Sequence, residues 1–345
     1  MTDELEISID GALALIALNR PQAINALSRG MIEGITAALL GWRDDPAVRA
    51  VLFSGNGPKG FCSGGDVRAA RALVLEGRET EADAYFTAEY RMNGLIADYP
   101  KSLVAIGHGI TMGGGIGIAG HCAFRITQPG ARFAMPESAI GFFADVGVNA
   151  ILAKAPLNRA LLFLMSGVSV GPEDALALGL VDAVVATDRV AGLRADLAGA
   201  AGSSQPETAI VRLMQAESID IGDLPFCALA DLLPDEPPDS PAEFLARVAA
   251  VPALAEISAL LATRCPASLV ATFFAQSKAR SMTVTQVLEM DLRLAVVMAR
   301  RADFAEGVRA VLVDKDQAPS WSPPTLEALD VERDARPLLD AVKRP

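Results

Sequence analysis

Apolar and polar positions predict strands and helices in alternation up to about residue 200, after which the strand pattern stops. Residues 5–9 and 13–18 are strand-like and flank Asp10-Gly11, a dipeptide suited to a tight hairpin turn. Pro21, Asn25 and Ser28 lead into residues 31–42, apolar at helical spacing and closed by Asp44-Asp45-Pro46. Residues 48–54 read as a buried strand, 55–65 as a glycine-rich loop, and Asp66 as the cap of the next helix. An amphipathic helix over 80–98 precedes Pro100, and a buried strand over 103–107 leads to a helix starting near Gly113. Strands at 124–126 and 131–135, one apolar helix over 149–165, a helix over 172–178 and a strand over 181–185 follow. Strand and crossover helix in turn imply an α/β fold, with parallel sheets and helices outside.

Helical spacing then dominates, over 242–251, 253–263, 268–275 and 284–298. Ser203-Ser204-Gln205-Pro206 and Pro234-Asp-Glu-Pro-Pro238 mark loops, and a proline-rich tail surrounds Trp321. The expected organisation is a core over 1–200 and an α-helical region over 201–345 packing on it.

Composition narrows the function. Of 345 residues, 51% are hydrophobic, enough for a substantial core. A formal charge of −12 argues against a nucleic-acid or anionic-membrane partner, since either needs a basic face. An anionic ligand must then be held by local Lys or Arg or by helix N-termini. Cys62, Cys122, Cys227 and Cys265 are far apart, and only His108 and His121 could join them, so no metal site is expected. The start, Met1-Thr-Asp-Glu-Leu-Glu, is acidic where a leader would be basic, and no apolar run is long enough to span a bilayer. The expected setting is reducing and cytoplasmic.

The candidate chemistry lies between His108 and Asp145. Gly113-Gly114-Gly115-Ile-Gly117 is followed by Met135-Pro136-Glu137 and then Asp145. Consecutive glycines let backbone N–H groups approach a ligand, and nearby carboxylates can act as acid, base or nucleophile; the pairing suits carbonyl chemistry. Gly115-Ile-Gly117-Ile-Ala-Gly120 also matches a dinucleotide fingerprint. That motif wants a short strand-to-helix turn early in a βαβ unit, and here the loop is longer and mid-chain.

Arg20-Pro-Gln-Ala-Ile-Asn25-Ala26-Leu27, Phe61-Cys62-Ser63-Gly64-Gly65-Asp66, the run Met112–Gly115 and Phe133-Ala-Met-Pro-Glu137 together resemble the ordered landmarks of the enoyl-CoA hydratase/isomerase (crotonase) superfamily. Within it, Met135-Pro-Glu-Ser-Ala-Ile-Gly141-Phe-Phe-Ala-Asp145 and Asp303-Phe-Ala-Glu-Gly307 onward to Asp316 look like 3-hydroxyisobutyryl-CoA hydrolases. The resemblance implies a crotonase-like spiral of ββα units. It implies that the N–H groups of Gly65 and Gly114 polarise a thioester carbonyl, and that Glu137 and Asp145 are catalytic. It implies further that Glu89, Ala26 and Gly64 line the substrate and that coenzyme A is part of that substrate with no separate cofactor; relatives commonly form homo-oligomers, but the sequence does not read out the oligomeric state. Lys315 is a candidate phosphate contact.

Position 117 separates the reactions. A hydratase resembling these proteins carries a glutamate two residues after the glycine run, where this chain has Gly117. Adding water across a C=C uses one carboxylate to activate water and another to protonate carbon, whereas hydrolysis needs an oxyanion site and one working carboxylate. Thioester hydrolysis is the expected activity. A hydratase or isomerase using Glu137 alone, and a non-catalytic acyl-CoA-binding protein, are the alternatives. Ala144 and Val148-Asn149-Ala150 depart from the hydrolase pattern, which usually has a proline and a glycine-rich stretch there.

Overall fold

The computed structural model describes residues 3–220 and 222–343. It divides into two compact units that interleave in sequence. The first comprises Met1–Gly65, Arg91–Phe133 and Val170–Leu224; the second comprises Asp66–Tyr90, Ala134–Ser169 and Pro225–Pro345.

The strands, in chain order, are β1 (Leu5–Asp10), β2 (Leu13–Leu18), β3 (Ala50–Gly55), β4 (Gly60–Cys62), β5 (Ser102–Ile106), β6 (Ile110–Met112), β7 (Phe124–Thr127), β8 (Arg132–Ala134) and β9 (Ala183–Val184). They form a six-stranded sheet in the order β1-β2-β3-β5-β7-β9 and a three-stranded sheet in the order β4-β6-β8. In the large sheet only β1 and β2 are antiparallel, with Leu5 opposite Leu18 and Asp10 opposite Leu13, so the turn residues are Gly11 and Ala12. The remaining pairs in that sheet are parallel, as the alternation of strand and crossover implies.

Alternate residues of these strands point to one face. Leu13, Leu15, Ala50, Leu52, Val104 and Ile106 pack there with Leu193, Leu197 and Ala201 of helix Val190–Gly202 and with Ile210 and Met214 of helix Pro206–Glu217. The intervening residues Ala14, Ile16, Val51, Phe53, Leu103 and Ala105 are buried too, as befits a parallel sheet covered on both faces. Neither helix stands out in the sequence pattern. VAGLRADLAGAAG carries alanine and glycine on every side, so its three anchoring positions do not form a visible stripe.

The stretch expected as a loop over 55–65 contains β4. Its pairing with β6 is so close that a Cβ on Gly60 would lie 2.4 Å from Ile110 N, so the missing side chain makes the strand possible. Strand β6 in turn stands between β5 and the glycine helix, which starts from the small sheet instead of directly from the buried strand.

The second unit is helical. The single helix expected over 149–165 is broken into Val148–Ile151, a 3-10 turn Leu152–Lys154 and helix Leu157–Ser166. Pro156 offers no N–H and holds Ala155 extended, at ψ 158°, so the helix stops and restarts. The segment Asp303–Asp316 reads from sequence as a helix end with a strand-like tail; the helix end is present as Ala302–Val308, but the tail is not a strand and continues as a π-helical segment, Arg309–Val313. Val311-Leu312-Val313 reads as strand by composition. Arg309, however, pairs with Glu306 at 2.8 Å, Asp314 at 2.7 Å and Asp316 at 2.6 Å, and these local bonds keep the segment coiled. Among the described residues strands end at β9, before the boundary expected near residue 200.

Candidate active site

In the first unit, Asn25 ties the early loop to β4. It is fully buried; its Oδ1 accepts the Arg20 N–H at 2.8 Å, and its Nδ2 faces the carbonyls of Asn56, Gly60 and Phe61 at 2.9, 3.2 and 3.0 Å. The Cys62 thiol donates to Asn25 O at 3.1 Å, so it braces the loop as well as filling space. Leu27 N–H donates to Gly64 O at 2.9 Å and Leu27 bridges Gly65 in parallel, which turns the N–H of Gly65 away from that pairing. A Cβ on Gly64, at φ 116°, would stand 3.6 Å from Met112 O and 3.7 Å from Gly114 N. The two glycine turns therefore lie side by side.

Gly114 opens helix Gly114–Ala119, so its N–H has no acceptor within the helix. A Cβ on Gly115 would meet Cys62 O at 2.6 Å, which shows how closely the helix start rests on β4. Ala26, Gly64, Gly65 and Gly114 thus come together in one loop cluster, and Gly117 is buried one turn along the helix. His108 Nε2 bonds Gly57 O at 2.8 Å, in keeping with a structural histidine.

In the second unit, Glu89, Glu137 and Asp145 come together and are all buried. Glu137 begins the 3-10 turn Glu137–Ile140. Ser138 donates its hydroxyl to Met165 O at 3.0 Å and accepts Cys265 N–H at its carbonyl, also at 3.0 Å. On the far side, a Cβ on Gly141 would lie 2.1 Å from Asp303 O, and one on Gly307 would lie 2.3 Å from Ile140 C. The Asp303–Gly307 signature is therefore the packing partner of the Pro-Glu element. Phe142 stacks on Phe86 at 5.2 Å and meets Phe304 at 5.4 Å, building an apolar wall beside the carboxylates.

Asp145 Oδ2 accepts the Tyr90 hydroxyl at 2.6 Å. Burial and the charge of Asp145 push Glu89 up to about 8. Burial pushes Asp145 up to about 7, against the pull of the Tyr90 hydroxyl and its own backbone N–H. Glu137 is held well above the usual carboxylate range by burial, then by Asp145. Like charges in one dry site cannot all ionise, so the cluster retains protons at neutral pH. Glu89 Oε1 and Glu137 Oε2 are buried without a hydrogen-bond partner, which leaves both open to another group.

Two members were not foreseen. Tyr90 adjoins Glu89 in sequence, yet only its bond to Asp145 reveals a role. Asp291 lies on helix Val284–Ala299, fully buried, and its Oδ2 accepts Gly147 N–H at 2.8 Å. It occupies the apolar stripe of Val287, Leu288, Met290, Leu294 and Met298, and an aspartate at a core-facing position was the available signal. Of the departing residues, Asn149 donates its Nδ2 to Ala144 O at 2.7 Å, so they form one braced turn. Lys315 is exposed at φ 60°.

The enoyl-CoA hydratase/isomerase family matches this chain over residues 13–336. The mitochondrial 3-hydroxyisobutyryl-CoA hydrolase of Xenopus tropicalis is 35% identical over 92% of this chain and 84% of that protein. A carnitinyl-CoA dehydratase structure from Mycobacterium thermoresistibile gives a TM-score of 0.88 at 31% identity, covering 100% of this chain and 97% of that one. An enoyl-CoA hydratase structure from Rhodobacter sphaeroides 2.4.1 gives 0.87 at 32% identity, covering 99% and 97%. These likenesses bear out the crotonase-like fold, and with a match running over nearly its whole length the chain belongs to the enoyl-CoA hydratase/isomerase family.

Proposed function

We propose that this chain hydrolyses a short 3-hydroxyacyl-CoA thioester, foremost 3-hydroxyisobutyryl-CoA, to 3-hydroxyisobutyrate and CoA, a step of valine catabolism. The observation that carries the reading is the pairing of a buried Glu137–Asp145–Tyr90 group with a glycine at position 117. Hydration would want a second glutamate there. The hydrolases among the relatives, and the Asp303–Gly307 signature packed on the Pro-Glu element, support the same choice.

The proposed roles follow from the chemistry. The N–H groups of Gly65 and Gly114 stabilise the oxyanion as the thioester carbonyl becomes tetrahedral. Glu137 either attacks that carbon, expelling CoA thiolate and leaving a mixed anhydride that water cleaves, or takes a proton from the attacking water. Asp145 and Glu89 position the 3-hydroxyl and exchange protons with the leaving group. Ala26 and Gly64 shape the loop against the substrate. The reaction as written uses only substrate and water, with CoA as leaving group, so it calls for no separate cofactor.

The dehydratase and hydratase names of the two structural neighbours favour a second reading, an enoyl-CoA hydratase working through Glu137 alone. Thiol release from (S)-3-hydroxyisobutyryl-CoA and loss of enoyl absorbance from crotonyl-CoA, followed in parallel, decide between them. Thiol release far faster than enoyl loss is expected. Rapid enoyl loss without thiol release overturns the hydrolase reading.

A further inference from the structure

Asp145 ends in an unusual turn. Val148 N–H donates to Asp145 O at 3.1 Å, and the two residues between, Val146 at φ 54° and Gly147 at φ 75°, are both left-handed. That conformation suits Gly147 but is strongly disfavoured for a β-branched residue such as Val146, so something outside the turn must hold it. Asn149 and Thr272 brace the preceding residue, through Ala144 O at 2.7 Å and Ala144 N at 3.4 Å. Within the left-handed pair, Gly147 N–H donates to Asp291 Oδ2 at 2.8 Å.

Asp291 is an expensive way to satisfy one N–H. It is fully buried in the apolar stripe of helix Val284–Ala299, and its Oδ1 has no hydrogen-bond partner. An apolar residue would pack that helix better, and burying a carboxyl for a single hydrogen bond is unfavourable. Burial holds the Asp291 carboxyl well above the usual carboxylate range, even though the neighbouring Arg293, whose Nε also reaches Ala341 O at 2.9 Å, offsets part of that cost through its charge. Such a placement makes sense where the geometry of the turn matters more than the stability of the helix.

We propose that Asp291 is a positioning residue for Asp145, fixing through Gly147 the turn that presents the Asp145 carboxylate to the Tyr90 hydroxyl. The inference rests on the reading of Asp145 as part of the reacting site. Its test is a double-mutant cycle on the full chain, measuring thiol release from 3-hydroxyisobutyryl-CoA by D291A, D291N, D145N and D145N/D291A. D291A is expected to lower kcat about 10- to 100-fold, the scale of a misplaced reacting group, with KM little changed. D291N, whose amide oxygen still accepts Gly147 N–H, should recover most of kcat. The double variant should be no slower than D145N. Additive losses, or a folded D291A with wild-type kcat beside an impaired D145N, overturn the proposal while leaving the hydrolase reading in place. Wild-type turnover by D145N removes Asp145 from the mechanism and this inference with it. If D291A does not fold, D291N against the similarly sized D291L carries the test: retained kcat in the first and loss in the second support it, and equal kcat overturns it.

Discussion

Glu137 is a carboxylate that the fold has made reluctant to ionise, and its proposed reaction requires it ionised. Turnover should therefore rise with pH through about 7, where Asp145 titrates, as the shared protons leave the cluster. A flat kcat profile between pH 5 and pH 9, values spanning that titration on either side by roughly two units, would detach the cluster from the chemistry. Glu137→Gln keeps the volume and removes the charge. It should lower kcat for thiol release about 100- to 10,000-fold, the range for a lost acid or base, while substrate affinity stays within a few-fold. Unchanged cleavage by a folded variant would remove Glu137 from the mechanism. The same raised values bear on stability. Above pH about 4 the unfolded chain releases protons that folded Asp145 and Glu89 keep up to about 7 and about 8, so rising pH favours unfolding across that window. Arginine-paired carboxylates such as Glu306 and the buried Asp334, both lowered to about 2, act oppositely and only in stronger acid. The melting temperature is thus expected to fall between pH 5 and 8, and less steeply in Asp145→Asn, a contrast that scanning calorimetry would read over about three pH units.

At the scale of elements, the approach of helix Ala302–Val308 to the Glu137–Ile140 turn depends on two missing side chains. Gly307 faces Ile140 backbone atoms at 2.3 to 2.6 Å from where its Cβ would be, so Gly307→Ala must push the two apart. Overpacking of this kind costs about 1–3 kcal/mol. Thermal unfolding should show that loss, and thiol release should fall with it because Glu137 sits on the displaced turn. A variant with wild-type stability and rate would show that the two elements are free to separate. The same principle, local backbone approach permitted by glycine, explains β4 and the start of helix Gly114–Ala119. In all three places the glycine pattern was visible, but the partner it approaches was not.

The whole molecule carries a formal charge of −12, and the proposed substrate is itself polyanionic. At low ionic strength that net charge slows encounter, and screening over a Debye length of about 8–10 Å relieves it. Raising salt from low to physiological levels should leave kcat/KM for acyl-CoA unchanged or higher. A steep fall instead would reveal a local cationic contact strong enough to outweigh the global field, with Lys315 the first residue to substitute.

The strand and helix alternation, the glycine turns and the spacing from Met135 to Asp145 are properties of neighbouring residues, and so the α/β class and the candidate carboxylates Glu137 and Asp145 could be read before any folding was known, while Gly65 and Gly114 were singled out by the family resemblance. Periodicity also located most helices, since a buried face leaves its mark every three or four positions. It failed where that mark is weak or misleading: helix Val190–Gly202 is too rich in small residues, Pro156 splits a continuous apolar run, and Val311-Leu312-Val313 stays coiled because Arg309 is held by three acidic neighbours. What tertiary structure alone decided are the long-range pairings. Tyr90 meets Asp145 across 55 positions and Asp291 meets Gly147 across 144, and no local pattern encodes a partner at such a distance. The raised carboxylates belong to the same class, because their protons are held by burial and by one another's charge, and both exist only once the chain has packed.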